Sequence, residues 1–232
     1  MDTNALQQYL TKVHQEMLID MTKKLGSYPI NFNFAEIICR PLFTTASLVV
    51  TDIGSYEIYV SASKHGNELS EEEIAIAELG LAHETGHILH MESNPVWHRS
   101  YNQERDLVKT FIPFQSTPRF NRLFDLGEVT AEYLALQFAD ERQGLDVFIK
   151  RQGELGKSGI YARVRKAMRR IPSERRIEVA NVLVKSEYED VRKVIELDEE
   201  IFSETERYIA KNPKVFTPPY QLVIPGLREV IW

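Results

Sequence analysis

A chain of 232 residues is long enough to bury a core without staples, and 43% hydrophobic with 27% charged residues are ordinary globular values that exclude wholesale disorder. One cysteine, Cys39, excludes an intramolecular disulfide and a cysteine-rich zinc finger, and 28 Lys+Arg against 34 Asp+Glu give a net charge of -6, the wrong sign for a generic nucleic-acid coat. No apolar run reaches the roughly 18–20 residues of a bilayer span, and Met1-Asp2-Thr3-Asn4 lacks the start of a signal peptide, so a cytoplasmic protein without membrane contact is expected.

The first segment has a helical period. Leu6, Leu10, Val13, Met17 and Met21 recur at spacings of three and four, Thr3 or Asn4 can cap the start, and Gly26 with Pro29 marks the end. The period then changes to two. Ile30, Phe32 and Phe34 alternate with polar or small residues toward Cys39, Ser47–Asp52 is rich in valine, and Tyr56, Ile58, Val60 and Ala62 alternate with Glu57, Tyr59, Ser61 and Ser63. Gly54-Ser55 predicts a hairpin between the last two runs, with one buried and one wet face.

A second helix is expected after the polar stretch Lys64–Leu69. Ser70 and Glu73 have capping-box spacing, and Ile74, Ala77, Leu81 and Ile88 continue to about Met91, with Asn94-Pro95 as the stop. Ser93–Phe120, with three prolines, reads as irregular. A helical period returns from Phe124 to Asp140. Beyond Gly144 the chain reads as mostly helical, with a charged segment Glu187–Arg207 and an extended tail Val215–Trp232. The expectation is a single α+β domain over 1–232. It would hold a core of about 30–142, in which a small antiparallel sheet packs on an active-site helix, and a mainly helical C-terminal region of about 143–232.

The chemistry concentrates in Leu81-Ala82-His83-Glu84-Thr85-Gly86-His87-Ile88-Leu89-His90. His83 and His87 are four apart on a predicted helix, so both imidazoles leave one face and can reach one zinc ion at about 2.0–2.1 Å. Glu84 stands beside that ion, where it can take a proton from metal-bound water.

This HExxH helix, preceded by an edge strand at Tyr56–Ala62, resembles the zincin metallopeptidases. The metzincin pattern would place glycine at position 90 and histidine at position 93; His90 and Ser93 stand there instead. Gluzincins take their third ligand from a glutamate on a second helix, and Glu128-Val129-Thr130-Ala131-Glu132 is similar to that segment. The resemblance implies Glu128 as metal ligand and Glu132 as a group orienting His83 or His87 through its second ring nitrogen. Glutamate in place of the usual aspartate at 132 leaves an exchange of roles open, and His98 is a further alternative for the third ligand. Over Ser47–Asp140 the chain also resembles the IrrE/ImmA-type peptidases, some of which act on transcriptional repressors. The long insert between the two helices and the C-terminal helices depart from that pattern.

The implied function is zinc-dependent hydrolysis of a peptide or protein substrate, with His90, His98 and Tyr133 as candidate pocket residues. Tyr101, Tyr133, Tyr161, His98 and Arg99 are candidates to stabilise the oxyanion. The alternatives are a zinc-binding regulatory or interaction module, or a nucleic-acid binder using Arg163, Arg165, Lys166, Arg169, Arg170, Arg175 and Arg176, which the acidic net charge disfavours. His14 and His65 have no evident partners in sequence. A buried, inert Cys39 is expected.

Overall fold

The computed structural model describes residues 2–26, 34–40, 46–52, 55–61, 69–111, 118–144 and 159–185. The expected start of the first strand at Ile30, the turn glycine Gly54, His65, the charged segment Glu187–Arg207 and the tail Val215–Trp232 lie outside them. The described chain is α+β and mostly helical, with a three-stranded sheet. None of its helices is long and apolar enough to cross a membrane.

Two compact units are present. The first holds helix α1 (Thr3–Lys24), strands β1 (Glu36–Arg40), β2 (Ala46–Asp52) and β3 (Ser55–Ser61), the part of helix α2 (Glu71–Ser93) up to Gly86, and the part of helix α4 (Pro118–Gln143) from Leu134. The second holds α2 from His87, helix α3 (Pro95–Phe111), α4 up to Tyr133, helix α5 (Gly159–Arg170) and helix α6 (Arg176–Lys185).

In the first unit the apolar stripe of α1 is buried as its period predicts. Leu6, Leu10, Met17 and Met21 are fully inaccessible, and each contributes about 1.5–3 kcal/mol by leaving water. The cap is Asp2, not Thr3 or Asn4: its Oδ1 accepts from the Ala5 amide at 2.7 Å. Gly26 ends the helix region at φ +62°, a conformation that costs glycine little.

The sheet corrects two expectations. It is mixed, not antiparallel: β2 pairs antiparallel with β3 as the hairpin pattern predicts, but β1 pairs parallel with β3. β3, expected at the edge, is central in the order β1-β3-β2. Alternation identifies a strand and its faces but carries no information on which strands flank it. The wet face is also only partly wet. Tyr59 is buried under the Arg40 guanidinium, 3.9 Å from its ring centroid, and donates to Glu57. Upstream the phase differs from the expected one, with Phe34 exposed and Ala35 buried. Cys39 is buried and unoxidised, and desolvation pushes its thiol up to about 11, which suits an inert role.

α2 opens on the expected capping box. The Ser70 hydroxyl accepts from the Glu73 amide, and Glu73 accepts from the Ser70 amide and hydroxyl. These hydrogen bonds hold the Glu73 carboxyl below its ordinary range.

The segment expected to be irregular is largely helical. The same Asn94-Pro95 that stops α2 starts α3: Asn94 Oδ1 accepts from the Trp97 amide at 3.0 Å, and Pro95 occupies the first helical position. Pro118 likewise opens α4, six residues before the predicted start at Phe124. Proline stops a helix that precedes it and suits the first turn of one that follows.

Candidate metal centre

The residues of interest sit on helices buried on nearly every side. From Ala77 to Met91 in α2, His83 is the one position not fully buried; from Asp125 to Ala139 in α4 every residue is buried. Buried ionisable groups on such helices need partners, because an unpaired charge away from water is costly.

The donor atoms of His83, His87 and Glu128 lie within 4.8 Å of one another, and among the described residues this is the group of three that can hold a metal ion. His83 and His87 stand one turn apart on α2. Glu128 reaches them from α4, with its Oε1 3.3 Å from His87 Nε2. Two ligands about 2.1 Å from a tetrahedral ion stand about 3.4 Å apart, so that separation suits a shared metal. Two imidazoles and a carboxylate are also a donor set that divalent transition metals accept. Glu132 and His98, the other candidates for third ligand, are not in the group.

Glu84 follows His83 in the chain and is 5% exposed, which keeps its carboxylate out of bulk water. Glu132 is 2% exposed, and its Oε1 accepts from Arg165 Nε at 3.0 Å. The second Glu128 oxygen, Oε2, accepts from the Tyr161 hydroxyl at 2.7 Å. Tyr161, an oxyanion candidate, thereby bonds directly to a member of the group. The Tyr133 hydroxyl donates instead to the Arg176 carbonyl, and burial raises its pKa. Tyr101 lies in an aromatic stack.

His90 is fully buried. Its ring stacks on Trp97 with centroids 4.0 Å apart, and neither ring nitrogen has a hydrogen-bond partner among the described residues. Burial, then the neighbouring His87 and His98, holds its pKa well below the ordinary value. His98 is half-buried with its centroid 6.5 Å from that of Trp97, and desolvation lowers its pKa. The stack continues from Trp97 through Tyr101 and Phe120 to Phe124.

Sequence reasoning missed three supports. Trp97 is the first: a Cβ on Gly127 would stand 2.9 Å from Trp97 Cζ2, so glycine beside Glu128 permits the indole's close approach. His14 is the second, and it is not isolated. Its Nδ1 is 2.9 Å from Thr85 Oγ1, inside the HExxH segment, and its Nε2 accepts from the Ala35 amide. Arg165 is the third; its place four residues after Tyr161, matching the Glu128–Glu132 spacing, was the available signal. This arginine belongs to the basic cluster and is buried on Glu132, and Arg176 donates to the Ile171 carbonyl, so the cluster is not one solvated basic face.

Comparison of the chain with protein-family models, curated proteins and solved structures finds no match.

Proposed function

We propose that the protein is a zinc metallopeptidase of zincin-like fold and gluzincin type, akin to the IrrE/ImmA-type peptidases, acting on a peptide or protein substrate. The observation that carries this reading is the convergence of His83, His87 and Glu128, with Glu84 adjacent to the first ligand. His83, His87 and Glu128 would hold the ion. Bound zinc supplies a Lewis acid for the scissile carbonyl and lowers the pKa of water toward about 7.

The chain's own groups do the rest. Glu84 takes the proton of the attacking water and returns it to the leaving amine. At 5% exposure it is screened from bulk water while it does so. Substrate would approach from the side of His83, the one partly exposed residue from Ala77 to Met91.

Metal content by mass spectrometry, on untagged wild type and Glu128→Ala, tests the reading. About one zinc per chain in wild type and loss in the variant are expected for a three-residue site. No zinc in either protein would overturn the proposal.

A further inference from the structure

The peptidase reading gives α5 no task, yet its Tyr161 bonds to Glu128 of the group, and its Arg165 bonds to Glu132 one turn further along α4. Tyr161 and Arg165 are four apart on α5, and Glu128 and Glu132 are four apart on α4. The first pair bonds to the second rung by rung: Tyr161 hydroxyl to Glu128 Oε2 at 2.7 Å, and Arg165 Nε to Glu132 Oε1 at 3.0 Å. The spacing of one helical turn is equal on both sides, so the contact advances along both helices in the same sense.

The two rungs differ in setting. The Arg165 and Glu132 side chains are 9% and 3% exposed. Away from water such a charge-assisted hydrogen bond is strengthened, so the rung resists displacement. The other rung ends on a residue 36% exposed, Tyr161. It also gives the two oxygens of Glu128 different neighbours, since Oε1 faces His87 Nε2 while Oε2 receives the phenol.

We propose that α5 is a two-rung clasp that holds Glu128 as a one-oxygen metal ligand: Tyr161 is the positioning residue on Oε2, and Arg165 anchors it through Glu132. The clasp rests on the metal-site reading. A carboxylate free to rotate can turn both oxygens to a cation, which fills a position that substrate needs. A donor fixed on one oxygen opposes that rotation and orients the other.

Cobalt(II) is the probe, because its visible band weakens as coordination number rises. Metal-free full-length protein is titrated as wild type, Tyr161→Phe, Glu128→Ala and the double variant Arg165→Met/Glu132→Gln. The double variant removes the anchor without stranding a charge. Expected are one strong site in wild type, and, in Tyr161→Phe and the double variant, a weaker band with affinity reduced about 10–100-fold, the range for groups that orient ligands. Wild type that binds cobalt(II) through Glu128, with Tyr161→Phe matching it in band and affinity, overturns the clasp and leaves the metal site standing. The clasp is equally overturned if Tyr161→Phe only lowers the melting temperature of the metal-free protein. A double variant with the wild-type band removes Arg165 from the clasp. Wild type without cobalt(II), or binding unchanged in Glu128→Ala, overturns the metal site and the clasp together.

Discussion

His14 and Thr85 join α1 to the HExxH segment of α2 by a contact of 2.9 Å between Nδ1 and Oγ1. The tautomer follows from the surrounding bonds. The Ala35 amide donates to Nε2, so Nε2 carries no proton and Nδ1 carries it; Thr85 Oγ1 accepts that proton and donates its own to the Leu81 carbonyl. Both ring nitrogens are thus satisfied only in the neutral form.

A pH dependence of stability is therefore expected. Burial lowers the His14 pKa from 6.5 to about 4. The unfolded chain binds this proton more readily than the folded one, so stability is fully present above about pH 6.5 and is lost as pH falls toward 4. The full difference is about 3 kcal/mol for one group shifted this far. Urea unfolding of metal-free wild type and His14→Gln at pH 7 and pH 5 checks it. The variant should lose less stability than wild type between the two; equal losses would contradict the assignment.

Gly127→Ala tests the packing beside Glu128. Alanine normally favours a helix over glycine by about 1 kcal/mol. Here the added Cβ meets Trp97 at 2.9 Å, and that indole is buried, stacked between His90 and Tyr101, and bonded through Nε1 to the Leu123 carbonyl. It has little room to yield. Net destabilisation of about 1–2 kcal/mol is expected, with weaker metal binding as α4 is displaced. Thermal melts and a chelator-competition assay measure the two effects, and a variant as stable as wild type would show that the indole does yield.

Arg165→Met should be destabilising, by about 1.5–3 kcal/mol, because a buried charge-assisted hydrogen bond to Glu132 is lost. Arg165→Met/Glu132→Gln should recover much of that loss. Equilibrium unfolding of the single and double variants reads this directly. A double variant no more stable than the single one would show that the packing of Arg165, and not charge pairing, supports the rung.

The parts of this architecture that were legible in sequence are those set by neighbours along the chain. The α1 stripe, the Ser70–Glu73 box and the His83–His87 spacing depend on residues three or four apart, and all three are observed. Glu128 was legible through resemblance alone, since nothing local marks it as a partner of α2. The missed relationships are long-range. His14 meets a residue 71 positions away, and Arg165 meets one 33 positions away. β3 was placed at an edge because its alternation does not show that β1 pairs with it. α3 was missed for a local reason. Asn94-Pro95 is both a stop and a start, and only the hydrogen bond from the Trp97 amide to Asn94 distinguishes the second role.

Glu84→Gln separates catalysis from metal binding. The amide is nearly isosteric, so at a position 5% exposed it preserves packing while removing the group that accepts a proton. Zinc content should match wild type, because Glu84 lies outside the ligand group. Hydrolysis of a peptide library, followed by mass spectrometry, should fall about 10²–10⁴-fold, the usual loss with a general base. Retained zinc with undiminished cleavage would reassign the base. Retained zinc with no cleavage by wild type on any peptide or folded-protein substrate would favour a metal-binding regulatory module, although such a scaffold has no use for a buried carboxylate beside its first histidine.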